Sequence, residues 1–226
     1  MESLKVSNLC KTYVIEKRQN NVLRNVSLEI KQGEMVAVMG PSGSGKTTLL
    51  YTVSGMDNAT AGKVDFFGRE LTGLSANEIS DMRLEQMGFV FQQMVNERAK
   101  ILMQKLGISE VADNDINEVS GGQLQRACIC RSLINEPKII FADEPTGALN
   151  KQNSIEVMEE LNRINLDGIS ILLVTHDMKV AARCERVLYI EDGDIREDIT
   201  LGKWQKDQDM RARERTLNDW LIKLGW

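Results

Sequence analysis

The sequence has 226 residues, of which 42% are hydrophobic, and this is enough to bury one large core in a single domain. Its formal net charge of -5 disfavours a protein whose main task is to bind nucleic acid, because that task requires an excess of Lys and Arg. We therefore expect one catalytic unit and no nucleic-acid partner.

The apolar runs of the sequence have the length of strands. Met35–Met39 and Ile169–Val174 are much shorter than the about 20 apolar residues that a membrane-spanning helix requires. The first residues, MESLKVSNL, lack the basic start and the long apolar centre of a secretory signal. The sequence thus predicts a cytoplasmic protein without a membrane span.

The cysteines do not form a metal-binding pattern. They are Cys10, Cys128, Cys130 and Cys184. No two of them make a C-x-x-C pair, and His176 is the single histidine of the chain, so too few soft ligands are present for a zinc site. The sequence predicts buried, reduced thiols instead.

Strand patterns open the chain and lead into a loop rich in glycine. Between about Leu4 and Ile30, short stretches place apolar residues at every second position, which is typical of half-buried strands. Met35–Met39 then reads as a fully buried strand, followed by the loop and by a predicted helix at Lys46–Val53. This order of strand, loop and helix is the context of a P-loop.

The loop itself fits the pattern G-x-x-x-x-G-K-[ST]. Gly43 and Gly45 allow the backbone to curl until its N–H groups converge on phosphate oxygens, near the positive end of the following helix. Lys46 adds a positive charge, and the Thr47 hydroxyl is a predicted Mg²⁺ ligand. A plain structural loop is the alternative, which the flanking strand and helix disfavour. The predicted phosphate-binding residues are Gly40, Pro41, Ser42, Gly43, Ser44, Gly45, Lys46, Thr47 and Thr48.

The second half of the sequence alternates helices and strands, which predicts an α/β fold with a mostly parallel core sheet. The pattern predicts a helix after Gly122 and, near the C-terminus, a last strand around Val187–Ile190. Between them it predicts a strand at Ile139–Ala142, a helix near Ser154–Ile164 and a strand at Ile169–Val174.

Two adjacent carboxylates follow the predicted strand at 139–142. Charge at the end of a buried strand is costly unless a metal ion or a proton transfer uses it. Asp143 is therefore predicted to hold Mg²⁺, directly or through water, and Glu144 to polarise the water that attacks a γ-phosphate. Taken alone, the pair also fits a helix N-cap or a solvated loop.

His176 follows the predicted strand at 169–174. The carboxyl edge of a parallel sheet gathers residues that contact ligands, so this position favours a role in the site over that of an ordinary polar residue. The last stretch, at about 203–226, is rich in charge before its apolar residues appear at helical spacing. We predict an amphipathic helix there. Charges of both signs on its polar face favour docking onto this protein or a partner over membrane binding.

The segment Val119–Arg126, with the sequence VSGGQLQR, precedes the strand that carries Asp143. Together with the motifs above, in this order and across nearly the whole chain, it resembles the ABC ATPase family. The resemblance implies a P-loop NTPase fold with an N-terminal antiparallel β subdomain and an α-helical subdomain. It further implies a single nucleotide-binding domain over residues 1–226, with the helical signature subdomain at about 93–135.

The resemblance also implies functional residues beyond the P-loop. ATP and Mg²⁺ would be the cofactors, and ATP would be hydrolysed to ADP and phosphate, with Glu144 and His176 as catalytic residues. Gln92 would be the Q-loop ligand of Mg²⁺, and Tyr13 would stack on adenine, although an aromatic residue beside a strand is often only packing. The signature motif would contact the γ-phosphate bound to the other subunit of an ATP-dependent, head-to-tail homodimer. Its residues are Ser120, Gly121, Gly122 and Gln123.

Three strings look most like the macrolide-export, lipoprotein-release and antimicrobial-peptide-resistance branch of bacterial ABC transporters. They are the signature, EPTGALN at 144–150 and LNDWLIKLGW at 217–226. This implies a subunit on the inner face of the cell membrane that powers export or membrane extraction of a hydrophobic or peptide-like substrate through a separate transmembrane permease. The alternative is an ATP-driven mechanical or signalling subunit of a membrane complex that transports nothing.

The sequence departs from the family pattern at two places. The D-loop position that is usually Asp is Asn150, which keeps a hydrogen-bonding side chain but removes a charge. Only a short segment separates Gln92 from Ser120, so the helical subdomain is shortened. The abrupt junction at 91–100 indicates a skipped loop. We interpret it as a flexible segment omitted from the sequence, with a trimmed subdomain as the alternative.

Overall fold

A computed structural model gives the fold. It describes residues 2–16, 18–90, 106–108, 110, 119–205 and 209–226. The predicted Q-loop residue Gln92 lies outside the described residues, and so does most of the predicted helical subdomain before Ser120, including the junction at 91–100. The predicted shortening of that subdomain therefore stays a prediction.

The strands of the described residues form two sheets. In chain order they are β1 (Glu2–Ile15), β2 (Arg18–Lys31), β3 (Met35–Met39), β4 (Ala61–Phe66), β5 (Arg69–Glu70), β6 (Met87–Val90), β7 (Ile139–Asp143), β8 (Ser170–Val174), β9 (Arg186–Glu191) and β10 (Asp194–Thr200). A four-stranded antiparallel sheet has the order β2-β1-β4-β5, and a six-stranded sheet has the order β10-β9-β3-β8-β7-β6. All neighbours in the larger sheet are parallel except β9 and β10.

The helices of the same residues include the four that the sequence predicts and two that it does not, α2 and α5 in the following numbering. They are α1 (Lys46–Val53), α2 (Ala76–Gln86), α3 (Gly121–Leu133), α4 (Lys151–Leu166), α5 (Met178–Ala181) and α6 (Met210–Lys223). The predicted bounds of α1 are confirmed at both ends. Helix α2 was not predicted, although Ser75 and Glu78 form a capping box at its start, where Glu78 accepts the Ser75 backbone N–H at 2.9 Å.

One strand prediction was wrong. The strand at Arg186–Glu191 is not the last, because β10 follows it and pairs with it as an antiparallel edge strand. Four of the seven residues of β10 are charged, so its sequence lacks the apolar alternation by which strands are recognised. Charged side chains are common on edge strands, where they discourage pairing with another chain.

The larger sheet lies between two cores. In β3, Val36 and Val38 face a core shared with the antiparallel sheet and α1, whereas Ala37 faces a second core shared with α3, α4 and α6. All five residues of β3 are buried. A strand covered on both faces reads as a continuous apolar run, which is why its prediction was straightforward.

The C-terminal helix α6 packs against the second core. Leu217 and Leu221 are fully buried, and Trp220 and Leu224 pack partly buried beside them. The predicted amphipathic helix is thus confirmed for Met210–Lys223, and its apolar face docks onto the protein's own surface. Among the described residues, none of the helices is both long enough and apolar enough to span a membrane.

Candidate nucleotide-binding and hydrolysis site

Three neighbouring parallel strands bring the predicted catalytic residues to one edge of the larger sheet. β3 leads into the glycine-rich loop, β7 ends at Asp143, and β8 is followed by Thr175 and His176. The register places Asp143 opposite Val174, the last residue of β8. In open α/β sheets, ligands bind in the crevice outside the carboxyl ends of the strands. The P-loop, Asp143 and His176 therefore lie together at one edge of the sheet.

The glycine-rich loop has the curled backbone that phosphate binding requires. Gly43 and Gly45 adopt positive φ angles of 79° and 102°, which residues with a Cβ adopt only at a cost. Gly45 is also the N-cap of α1, so the loop ends at the N-terminus of a helix whose first N–H groups have no partner within the helix. Such a terminus attracts anions.

The ammonium group of Lys46 lies against the same loop. Its Nζ donates hydrogen bonds to the carbonyl oxygens of Gly40 at 2.8 Å and Pro41 at 2.9 Å. Burial lowers the pKa of the Lys46 ammonium, while the nearby charges of Glu144 and Asp143 oppose that shift. A partly buried cation beside a helix N-terminus suits an anionic ligand.

Asp143 is linked to the P-loop helix through side-chain oxygens. Thr47 Oγ1 lies 3.2 Å from Asp143 Oδ1, and a hydrogen bond with the Tyr51 phenol also reaches this carboxylate. Burial raises the pKa of the Asp143 carboxyl, and the bonds from Thr47 and Tyr51 counteract this shift. A carboxylate and a hydroxyl are hard oxygen ligands of the kind Mg²⁺ prefers, so these residues fit the ion.

Glu144 is held in place by the segment after β8. Its Oε1 lies 2.8 Å from Nδ1 of His176 and accepts the His176 backbone N–H at 3.1 Å, while Thr175 Oγ1 donates to its Oε2 at 3.2 Å. Glu144 itself has a positive φ of 45°, a conformation that non-glycine residues rarely adopt and that concentrates at functional sites. The carboxylate is thus oriented from two sides.

The signature segment forms the exposed beginning of α3. Ser120 is the N-cap: its Oγ accepts the Gln123 N–H at 3.3 Å, and Gln123 Oε1 accepts the Ser120 N–H at 2.8 Å. Gln123 Nε2 also donates to Glu110 at 3.4 Å. Gly121 is exposed, whereas Gly122 is buried beside Asn153 of α4. The backbone at the start of α3 is therefore accessible to a ligand brought by another molecule.

Tyr13 lies on β1 beside two charged residues. Its phenol donates to Asp57 Oδ2 at 2.6 Å, and the Lys11 ammonium lies 4.7 Å from the centroid of its ring. Partial burial and then the carboxylate of Asp57 raise the pKa of Tyr13, whereas a hydrogen bond with the Thr48 side chain opposes them. Tyr13 thus contacts α1, the helix that begins at the phosphate-binding loop.

The sequence profile of the ABC transporter family matches residues 23–147, which is more than half of the chain. The chain belongs to this family. The matched range contains the P-loop, the signature and the carboxylates Asp143 and Glu144, the same groups that the sheet and α3 position here.

Similar proteins include transporter subunits and a solved cassette. The bacitracin export ATP-binding protein BceA of Halalkalibacterium halodurans is 36% identical over 86% of this chain and 87% of its own. The macrolide export ATP-binding/permease protein MacB of Bdellovibrio bacteriovorus is 36% identical over 87% of this chain but only 34% of its own length. The chain thus spans about a third of that relative. The dimeric bacterial ABC transporter cassette MJ0796 is 33% identical, with a TM-score of 0.81 over 89% of this chain and 100% of its own.

Asn150 has a clear local role in this ABC cassette. It is the N-cap of α4, and its Oδ1 accepts the backbone N–H of Asn153 at 2.9 Å. Asn and Asp are both strong N-cap residues, so the amide conserves the start of the helix that follows the D-loop. The departure from the family pattern therefore removes a charge without removing the cap.

Four residues at this site were missed by the sequence reasoning. They are Lys11, Tyr51, Asp57 and Thr175. Thr175 had a local signal, since it lies between a buried strand and His176. The other three had none, because their contacts join β1 to the connection after α1, and α1 to β7, which are far apart in sequence and meet only in the fold.

Proposed function

We propose that this chain is the ATP-binding and ATP-hydrolysing subunit of an ABC transporter. The observation that carries the proposal is the placement of Glu144, between Thr175 and His176, at the sheet edge where the P-loop also begins. The whole chain would act as one nucleotide-binding domain over residues 1–226, working on the cytoplasmic face of the membrane.

Hydrolysis would follow from the positions of these groups. The P-loop N–H groups and Lys46 would bind the β- and γ-phosphates, and Thr47 and Asp143 would hold Mg²⁺, which neutralises phosphate charge when bound. Glu144 would accept a proton from the attacking water, and its bonds from Thr175 and His176 would aim the carboxylate. Phosphoryl transfer needs mainly such positioning and charge stabilisation.

A second copy of the chain would complete the site. The exposed start of α3 would present the Ser120 hydroxyl and the Gly121 backbone N–H at a helix N-terminus, which suits a γ-phosphate brought by another subunit. The solved relative MJ0796 is described as dimeric. ATP would then join two cassettes head to tail, and hydrolysis would release them.

The proposed class of transported substrate is taken from the similar proteins. BceA is a bacitracin export protein and MacB a macrolide export protein, and both names support export of a peptide-like or hydrophobic molecule. BceA, which this chain matches over most of its length, is an ATP-binding protein, and the transport path here would be supplied by a separate permease. The second candidate is a mechanical or signalling subunit, which would use the same residues with a different membrane partner.

The ATPase activity is tested with purified protein by measuring phosphate release from Mg-ATP. We expect turnover in the wild type and its loss in Glu144→Gln, with Lys63→Met as a control, because Lys63 is exposed and its ion pair lies on the antiparallel sheet. Absence of turnover by the wild-type chain, both alone and with its native membranes, would refute the proposal.

The transporter role is tested by isolating Glu144→Gln with ATP from its native membranes in mild detergent. Mass spectrometry of the bound proteins should reveal a permease. A membrane partner for which no substrate is moved in reconstituted vesicles would favour the mechanical candidate. A purely water-soluble partner would overturn both.

A further inference from the structure

We propose that Lys11 and Asp57 form a positioning pair that fixes Tyr13 as the stacking platform for the adenine base. The pair would act on recognition of the base and leave the binding of the triphosphate unaffected. This inference rests on the proposed function, since it assumes that ATP is the ligand, and it adds two residues to the base-binding end of the site.

Asp57 is shared between the two other residues of the group. Its Oδ1 accepts from Lys11 Nζ at 2.6 Å, and its Oδ2 accepts from the Tyr13 phenol at 2.6 Å. Burial alone would raise the pKa of Asp57, but the hydrogen bonds from Lys11 and Tyr13 bring it below its ordinary value. The carboxylate is therefore charged at neutral pH and anchors both partners.

Lys11 is an unusual residue to bury, with only 9% of its side chain exposed. A buried ammonium is costly unless its protons are used. Here Nζ donates to Asp57 and to the carbonyl oxygen of Asn58 at 2.7 Å, and it lies over the Tyr13 ring. The cation occupies one face of the ring through a cation–π contact, and the adenine base would stack on the opposite face.

The three residues tie the base-binding strand to the phosphate-binding helix. Asp57 lies just after α1, and the same connection is bound to β1 by Thr60, whose N–H donates to Cys10 O at 2.9 Å. The Thr12 N–H donates in turn to Thr60 Oγ1 at 2.9 Å. A platform held to α1 in this way stays at a fixed distance from the phosphates that bind at the start of the same helix.

A base that stacks on an aromatic side chain contributes affinity without any hydrogen bond to the edge of the base. The benefit depends on a ring that is already oriented, because ordering a free side chain on binding costs entropy. Tyr13 is fixed at its hydroxyl and on one face before any ligand arrives. Loss of Asp57 would release the ring and leave the ammonium of Lys11 with one fewer acceptor.

The test compares Mg-ATP with inorganic tripolyphosphate, which presents phosphates without a base. Dissociation constants for both are measured by calorimetry on the full chain for the wild type, Asp57→Asn and Tyr13→Phe, with Lys63→Met as the matched ion-pair control. We expect Asp57→Asn and Tyr13→Phe to weaken ATP binding about five- to tenfold, a fraction of the value of a full base stack, and to leave tripolyphosphate binding unchanged. The KM for ATP should rise with kcat unchanged, because the base contributes equally to binding in the ground state and in the transition state.

Two results would overturn the inference. One is a parallel weakening of both ligands, which would assign the pair to fold stability alone, and the other is unchanged binding of both. Tyr13→Phe keeps the ring and the Lys11–Asp57 ion pair, so it decides the matter even if Asp57→Asn folds poorly. Failure of wild-type protein to bind either ligand would instead refute the proposed function.

Discussion

The hydroxyl of Thr175 donates a hydrogen bond to Oε2 of Glu144 at 3.2 Å. Thr175 is fully buried, and its Oγ1 also accepts the Asp177 N–H at 3.0 Å, so the hydroxyl proton is directed toward the carboxylate. This contact leaves the other oxygen, Oε1, facing His176. The orientation of the proposed base thus depends on a buried neighbouring hydroxyl.

We expect Thr175→Val to lower kcat about ten- to a hundredfold with little change in KM, because the base loses one of its orienting bonds while the P-loop is untouched. Valine has nearly the shape of threonine, so packing is preserved. Thr175→Ser restores the hydroxyl and should recover most of the activity. Steady-state ATPase assays separate the two parameters. Equal kcat for Thr175→Val and wild type would show that this bond does not orient Glu144.

We expect Glu144→Gln to bind ATP normally and to hydrolyse it about a hundred- to ten thousandfold more slowly. The amide oxygen can still take the position of Oε1 and accept the His176 N–H, but the NH2 group at the position of Oε2 cannot accept from Thr175, and the side chain can no longer take a proton. Size-exclusion chromatography with Mg-ATP should show the variant accumulating as a dimer. Normal turnover would remove Glu144 from the role of base.

We expect Lys46→Ala to weaken ATP binding by at least about tenfold, since it removes a charge-assisted contact with the phosphates. Within the part of the chain that the structure describes, the hydrogen bonds of the Lys46 side chain go to the carbonyl oxygens of its own loop, so the fold should survive its removal. Calorimetry with Mg-ATP measures the effect, and Lys63→Ala, at an exposed ion pair, serves as the control. An unchanged dissociation constant for Lys46→Ala would mean that the loop does not bind the phosphates of ATP.

The sequence predicted those parts of the fold and site whose signals are local. The helix α1 was predicted to its last residue, because a buried strand, a fixed glycine pattern and Lys46 specify it within a short stretch. The edge strand at Asp194–Thr200 was missed because its charged residues hide the alternation. The link between Lys11 and Asp57 was missed because it joins residues 46 positions apart, and no sequence period reports such a pairing.

The cysteines give a prediction about chemical reactivity. Cys128, Cys130 and Cys184 are buried, whereas Cys10 is partly exposed. Burial raises the pKa of the Cys130 thiol to about 11 and that of Cys184 further, so neither forms the reactive thiolate near neutral pH. Iodoacetamide at pH 8 should therefore modify native protein once, at Cys10, and all four cysteines only after unfolding. Peptide mass spectrometry identifies the site, and rapid native labelling of Cys184 would contradict the burial.

Arg213 provides the last prediction, which concerns stability. Its guanidinium is buried and donates to four backbone carbonyl oxygens, those of Ala182, Leu201, Cys184 and Gly202, at 2.7 to 3.0 Å. These bonds fasten α6 to the two segments that follow α5 and β10. Each buried carbonyl left without a donor costs about 1–3 kcal/mol, so we expect Arg213→Met to lower the free energy of unfolding by about 3 kcal/mol or more.

The matched control for Arg213 is Arg215→Met, at an exposed position of the same helix, which should change the free energy of unfolding by less than about 0.5 kcal/mol. Urea unfolding followed by circular dichroism measures both variants. If they unfold at the same urea concentration, the guanidinium does not hold α6 in place. Helix α6 packs on the core behind the strand edge that carries Glu144 and His176, so a loosened helix should also lower ATPase activity. We therefore expect Arg213→Met to lose its activity at a lower urea concentration than the wild type does.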